Sequence, residues 1–125
     1  WKTWNRKSFE EALSLLFYDA DYVIENYKTI VNRILTDAPN TQLLLQSILP
    51  VNNGIRDFDI SNGTIQTVNE AIQKIAQKNN LTYIDIHPLL ANPEGNLDEQ
   101  YTSDGIHLNG KAYQVWKMEI EKLLL

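Results

Sequence analysis

"TQLLLQSILP", residues 41–50, is the stretch on which the fold turns. It is a short, continuous apolar run bounded by "APN" at 38–40 and by Pro50, the signature of a parallel strand covered on both faces. A strand is predicted over residues 42–48. After the polar stretch "VNNGIRDFDISN", Ile65, Val68, Ala71, Ile72, Ile75 and Ala76 recur on one helical face, and Asn79 and Asn80 supply a stop. "LTYIDI", residues 81–86, then reads as a second strand. Strand, helix and strand joined by a crossover of this length form a βαβ unit, almost always right-handed, so the two strands are expected to lie parallel in one sheet.

Working outward, Ser8 and Glu11 form a capping box ahead of "FEEALSLLFY", which predicts a short helix over about residues 9–18. A second helix is expected to begin near Asp19 or Asp21 and to end before Pro39. Its apolar positions are Val23, Ile24, Tyr27, Ile30, Val31, Ile34 and Leu35. On the other side, residues 87–108 read as a loop and 109–124 as a final helix, with Ala112, Val115, Trp116, Ile120 and Leu123 facing the core. The predicted class is α/β, with one domain over residues 1–125. Two strands are a small sheet for four helices to pack on, so the domain is expected to be incomplete.

Bulk composition narrows the partners. A net charge of -5 leaves no basic stripe for nucleic acid or anionic lipid, and no apolar run approaches bilayer-spanning length. Cysteine is absent, which excludes disulfides, thiolate nucleophiles and thiolate metal sites while leaving the compartment open. The start, "WKTWNRKSFEEAL", has neither a signal-peptide pattern nor an initiator methionine, which predicts a processed or truncated beginning.

In an open parallel sheet, ligands sit at the carboxyl ends of the strands. The loops after residues 48 and 86 are therefore where chemistry is sought, together with "YTSDGIHLNGKAYQVW", residues 101–116. There Asp104 and His107 are candidates for a general base and its orienting carboxylate, with Gly105 allowing the tight turn that points both the same way. The same spacing also suits a plain turn at a helix start with a surface histidine.

The longer stretch resembles the last block of the SGNH, or GDSL-like, esterase and lipase family: an Asp, two residues, a His, then Leu-Asn and an Ala-Tyr pair leading into the C-terminal helix. Other segments resemble that family in order. "ENYKTIVNRI" is similar to the helix before its fourth core strand, "LLLQSILPVNN" to that strand and the following loop, and "LTYIDIHPLLANPEGNLDEQYTSDGIHL" to its fifth strand running into the catalytic loop. The likeness spans residues 20–125 and implies a flavodoxin-like three-layer α/β/α sandwich, here incomplete, that hydrolyses acyl esters without a cofactor. It implies that His107 is the base and then acid, and that Asp104 orients it, for a serine near the family's N-terminus.

That serine's block is missing. No Asp-Ser or Gly-Asp-Ser occurs, and the family's Gly and Gly-x-Asn-Asp oxyanion blocks have no counterpart. Of the five serines, Ser8 reads as a helix cap and Ser14 as a mid-helix residue. Ser47 falls in the strand block, Ser61 in a polar turn, and Ser103 directly beside Asp104. The nucleophile is therefore expected outside the chain. Asn5, which precedes the first helix as the oxyanion Asn block does in the family, is the candidate remnant of that block. Trp1 and Trp4 are read as an apolar covering for the sheet in preference to a sugar platform. His87, with Asp85 nearby, is read as an ordinary strand exit and no metal is expected. Asp57 and Asp59 are read as solvated loop residues.

The expected function is the C-terminal part of an ester hydrolase acting on small acyl groups, including acetyl esters of carbohydrates, as the "ILPVNN" loop and the "DGIHLNGKAYQVW" ending suggest by their likeness to bacterial members. The alternative is a non-catalytic binding or association module built on the same fold. If the chain is a fragment or a split half, the strand edge at 42–48 lacks a neighbour, which predicts self-association or a complementing N-terminal half.

Overall fold

The computed structural model describes residues 20–59 and 61–124. The helix expected over 9–18, with Trp1, Trp4, Asn5, Ser8 and Ser14, lies outside the described residues. The chain divides after Gln42 into two units. In the first, helix α1 covers Ala20–Asp37, starts with Asp21 in its first turn and stops ahead of Pro39. Val31 is its buried residue, while Ile30, at 52% exposed, departs from the core role its spacing suggested.

The second unit contains the βαβ core. Strand β1 (Leu44–Gln46) pairs in parallel with β2 (Thr82–Ile84), with Leu44 opposite Thr82, Leu45 opposite Tyr83 and Gln46 opposite Ile84. Between them runs helix α2 (Asn62–Lys78), as the periodicity predicts. Ser61 caps its start by accepting the Gly63 and Thr64 N–H groups at 3.1 and 3.3 Å, which satisfies amides the helix itself cannot. At its end Asn80 takes φ +54°, and the Leu81 N–H returns to the Ala76 carbonyl at 2.8 Å. This left-handed turn closes the helix and feeds β2 directly.

Side chains alternate across a strand, and the two faces of the sheet are covered by different helices. Leu44 packs against a cluster of Ile84, Ile86, Leu90, Leu97 and Ala112, and Gln46 accepts a 2.8 Å hydrogen bond from Trp116 Nε1. Both Trp116 and Ala112 belong to the final helix, α4 (Gly110–Leu124), whose Val115 and Ile120 join the same cluster. Leu45 points the opposite way, toward the face of α2, where Ile65, Val68, Ile72 and Ala76 are buried. The unit is thus helix, sheet and helix in section, an α/β architecture. Each fully buried Leu or Ile in these two interfaces contributes about 1.5–3 kcal/mol.

Three details differ from the pattern-based expectation. The strands are shorter than 42–48 and 81–86, because side chains take over the backbone groups after the Ser47 N–H, which donates to the Ile84 carbonyl: the Asn69 amide binds both the N–H and the C=O of Ile48, at 2.6 and 3.0 Å. The expected loop 87–108 holds a one-turn helix, α3 (His87–Leu90), and a 3-10 turn (Glu99–Tyr101), with a bridge from Ala91 to Leu97 between them. Pro88 sits in the first turn of α3, where a missing N–H costs nothing. Finally, Leu123 is 45% exposed, beyond the last core contact of α4. Among the described residues, no helix is long and apolar enough to cross a membrane.

Candidate functional site

The loop after β1 and the segment 96–105 are sewn together at the carboxyl end of the strands. Asn62 brackets Val51, accepting its N–H at 2.9 Å and donating to its carbonyl at 2.8 Å, and also reaches Asn96 Oδ1 at 3.1 Å. The Val51 carbonyl further accepts the Leu97 N–H, and Asn52 Nδ2 donates to the Leu97 carbonyl at 2.9 Å. The Asn52 N–H in turn donates to the Gly105 carbonyl at 2.8 Å. Asparagine amides therefore do here what a further strand does in a ladder: they satisfy buried peptide groups.

Gly105 is the pivot of this arrangement. Its φ is +94°, and a Cβ there would lie 2.6 Å from the Asn52 carbonyl oxygen and 3.0 Å from the Phe58 ring. Only glycine combines that backbone with so close an approach. The turn places Asp104 and His107 side by side. Asp104 Oδ1 accepts the backbone N–H groups of Ile106 and His107 at 3.0 and 2.8 Å, and Asp104 Oδ2 lies 2.5 Å from His107 Nδ1. The hydrogen bond from the His107 side chain, followed by those from the His107 and Ile106 amides, holds the Asp104 carboxyl well below the usual carboxylate range. It is therefore an acceptor only, and Nδ1 carries the shared hydrogen. The His107 side chain is 82% exposed, so Nε2 of the neutral ring presents its lone pair to solvent.

Downstream, Asn109 anchors the turn to the start of α4. Its Oδ1 accepts the Ala112 N–H at 3.0 Å while its Nδ2 donates to the Gln100 carbonyl at 2.8 Å. A carboxylate-oriented imidazole on a rigid turn, open on its far nitrogen, is equipped to take a proton from a hydroxyl and return it.

The remaining sequence candidates separate cleanly. His87 is 3% exposed; its Nδ1 donates to the Ile48 carbonyl at 2.9 Å and its backbone N–H to Ser47 Oγ at 3.0 Å. Ser47, 2% exposed, is thus occupied as an acceptor inside the fold. Ser61 is the α2 cap, and Ser103 lies exposed in the turn itself. Asp57 accepts the Asp59 N–H at 2.8 Å within an exposed loop. Among the described residues, no three His, Asp or Glu side chains are grouped to hold a metal ion. Thr102, Asn52, Asn62 and Asn69 were not singled out by the sequence; the one local signal was the order Thr-Ser-Asp-Gly, in which a hydroxyl can cap the N–H three residues on.

The model of the GDSL-like Lipase/Acylhydrolase family matches residues 5–115. Among solved structures, a protein of Streptococcus pneumonia provisionally described as a platelet activating factor is 28% identical, with a TM-score of 0.77 over 86% of this chain and 52% of its own. A GDSL-like lipase from Bacteroides thetaiotaomicron is 24% identical, with a TM-score of 0.72 over 84% of this chain and 52% of its own. The acetyl xylan esterase AlAXEase, at 23% identity and a TM-score of 0.67, is covered over 56% of its length by 86% of this chain. This chain thus spans about half the length of the structures it matches. Sequence comparison with curated proteins finds no match.

Proposed function

Because the chain belongs to the GDSL-like lipase/acylhydrolase family, whose members hydrolyse esters, we propose that it supplies the general base and orienting carboxylate of a serine esterase, His107 and Asp104. The nucleophilic serine then lies outside these 125 residues. One observation carries this reading: the bond from His107 Nδ1 to Asp104 Oδ2 leaves Nε2 free at the surface.

In the reaction, His107 Nε2 takes the proton of the serine hydroxyl as its oxygen attacks the acyl carbonyl. Asp104 stabilises the imidazolium so formed. The proton passes to the leaving alkoxide, the acyl-enzyme remains, and His107 then activates a water to release the acid. Ser47 and Ser61 are committed to structural hydrogen bonds, which supports a nucleophile from elsewhere. Residues 1–125 act as one partial domain, and Asn5 is the candidate for an oxyanion contact. The substrate class is small acyl esters, acetyl esters of carbohydrates included. The free edge of β1 among the described residues is the place for self-association or for a complementing half.

A serine-directed fluorophosphonate tests this. The 125-residue chain is expected to remain unlabelled, whereas the longer protein containing it is labelled and hydrolyses p-nitrophenyl acetate. Labelling of the chain alone would overturn the external serine. Absence of hydrolysis after the family's N-terminal half is restored, with ligand affinity retained, would favour the binding module.

A further inference from the structure

Thr102 is 5% exposed although the turn around it is open to solvent, and a buried hydroxyl ordinarily uses both its proton and its lone pairs. Thr102 Oγ1 accepts the Gly105 N–H at 2.9 Å and lies 3.4 Å from Asp104 Oδ1, toward which its own proton is directed. Asp104 Oδ1 therefore collects three donors, the Thr102 hydroxyl and the Ile106 and His107 amides, while Oδ2 is left to the imidazole alone. The carboxylate has two chemically equivalent oxygens, and what makes them inequivalent is this one-sided set of donors.

We infer that Thr102 is a positioning residue: its hydroxyl fixes the rotation of the Asp104 carboxylate and so selects the Nδ1–H tautomer of His107. The inference rests on the proposed role of the pair for its functional meaning, but its geometry is measurable without turnover. Two features suit Thr102 to this. Its β-branch restricts χ1, which holds the hydroxyl over the turn. Its acceptor bond to Gly105 ties it to the residue whose carbonyl is bound by Asn52, so the orientation of Asp104 is referenced to the loop after β1. A histidine with no such carboxylate has no reason to prefer hydrogen on Nδ1. The tautomer is also what decides whether Nε2 offers a lone pair or a hydrogen to an incoming hydroxyl.

The test is nitrogen NMR of the labelled imidazole in this chain, read at about pH 9 and above until the signals no longer change with pH. The wild type is expected to show His107 chiefly as the Nδ1–H form. Thr102→Val, which keeps the shape and removes the hydroxyl, is expected to lower the Nδ1–H to Nε2–H ratio by about three- to tenfold, the worth of one net hydrogen bond. Thr102→Ser is expected to restore most of it, and Asp104→Asn marks the full loss. If Thr102→Val does not fold, Thr102→Cys against Thr102→Ser makes the same comparison, because a thiol is the weaker donor and acceptor. A ratio unchanged in the hydroxyl-deficient variant, beside a changed one in Asp104→Asn, overturns the inference. Intact turnover in His107→Ala of the longer enzyme would instead overturn the catalytic reading and leave the tautomer result standing.

Discussion

The two histidines stand in opposite surroundings. His87, at the start of α3, is buried and bound to the backbone of β1's continuation, whereas His107 projects into solvent with Asp104 as its side-chain partner. Each has a hydrogen bond at Nδ1, so the presence of a partner does not separate them. Its kind does. The Ile48 carbonyl 2.9 Å from His87 fixes a ring that joins two strand ends, and the Asn69 amide nitrogen at 3.5 Å is a second donor that cannot compete for the same hydrogen. A carboxylate stabilises an imidazolium, and the exposed far nitrogen of His107 gives a proton somewhere to go. One ring is built into the fold, the other carries the proposed chemistry.

Substitution separates the two most sharply. In a protein that carries the proposed serine together with this chain, His107→Ala is expected to lower kcat by about 10⁴-fold or more, with stability changed by less than about 0.5 kcal/mol. His87→Ala should do the reverse: a loss of about 2–4 kcal/mol in urea denaturation, from a cavity and the unpaired Ile48 carbonyl, with kcat retained in the folded fraction. Equal losses of stability would break the contrast.

Next in size is Gly105→Ala, expected to cost about 2–3 kcal/mol through the clash with Asn52 and the left-handed backbone. It should also lower kcat, because the turn carries the pair; a stable and fully active variant would show that the turn does not set its geometry. Ser61→Ala, away from either histidine, is expected to cost only about 1 kcal/mol in thermal denaturation and to leave kcat alone.

The smallest effect is on pH. The Asp104 carboxyl is held below its ordinary range, so the contribution of the pair is fully present above about pH 4, where the unfolded carboxylate is ionised. It is lost as the pH falls through the lower folded value. Carbon NMR of the Asp104 carboxyl is expected to show no midpoint near 4; a midpoint there would mean that the bond to His107 is not held in solution. Because the Asp104 side chain is partly exposed, solvent screening keeps the accompanying stability change small.

Much of this was legible in the chain. Period-3.6 patterning located α1, α2 and α4, and short apolar runs located both strands, because each helix buries one stripe and each strand is covered. That Asp104 and His107 meet is legible from their spacing, since the turn that unites them is local, whereas their proposed roles rest on the family resemblance. The supports were not legible. Asn52 and Asn62 read as part of a polar stretch and Asn69 as one position of a helix, yet each binds backbone of another element, and nothing in a local pattern tells an amide which distant peptide group it will meet. The segment at His87 is the strand exit its sequence suggests, but the helical turn that follows at once is not written there, because a proline ends a ladder as readily as it starts a helix.

The stitching of the site also bears on when it forms. The Asn52 side chain meets the Leu97 carbonyl across 45 residues, so that contact requires a long loop to close, at an entropic cost that rises as about 3/2 RT ln n. The backbone bonds within helices α2 and α4 close over a single turn and need no such closure. The Asp104 turn is closed by its own short-range bonds but leans on the Asn52 N–H for its Gly105 carbonyl, so its seating against the loop after β1 is expected to come late in assembly.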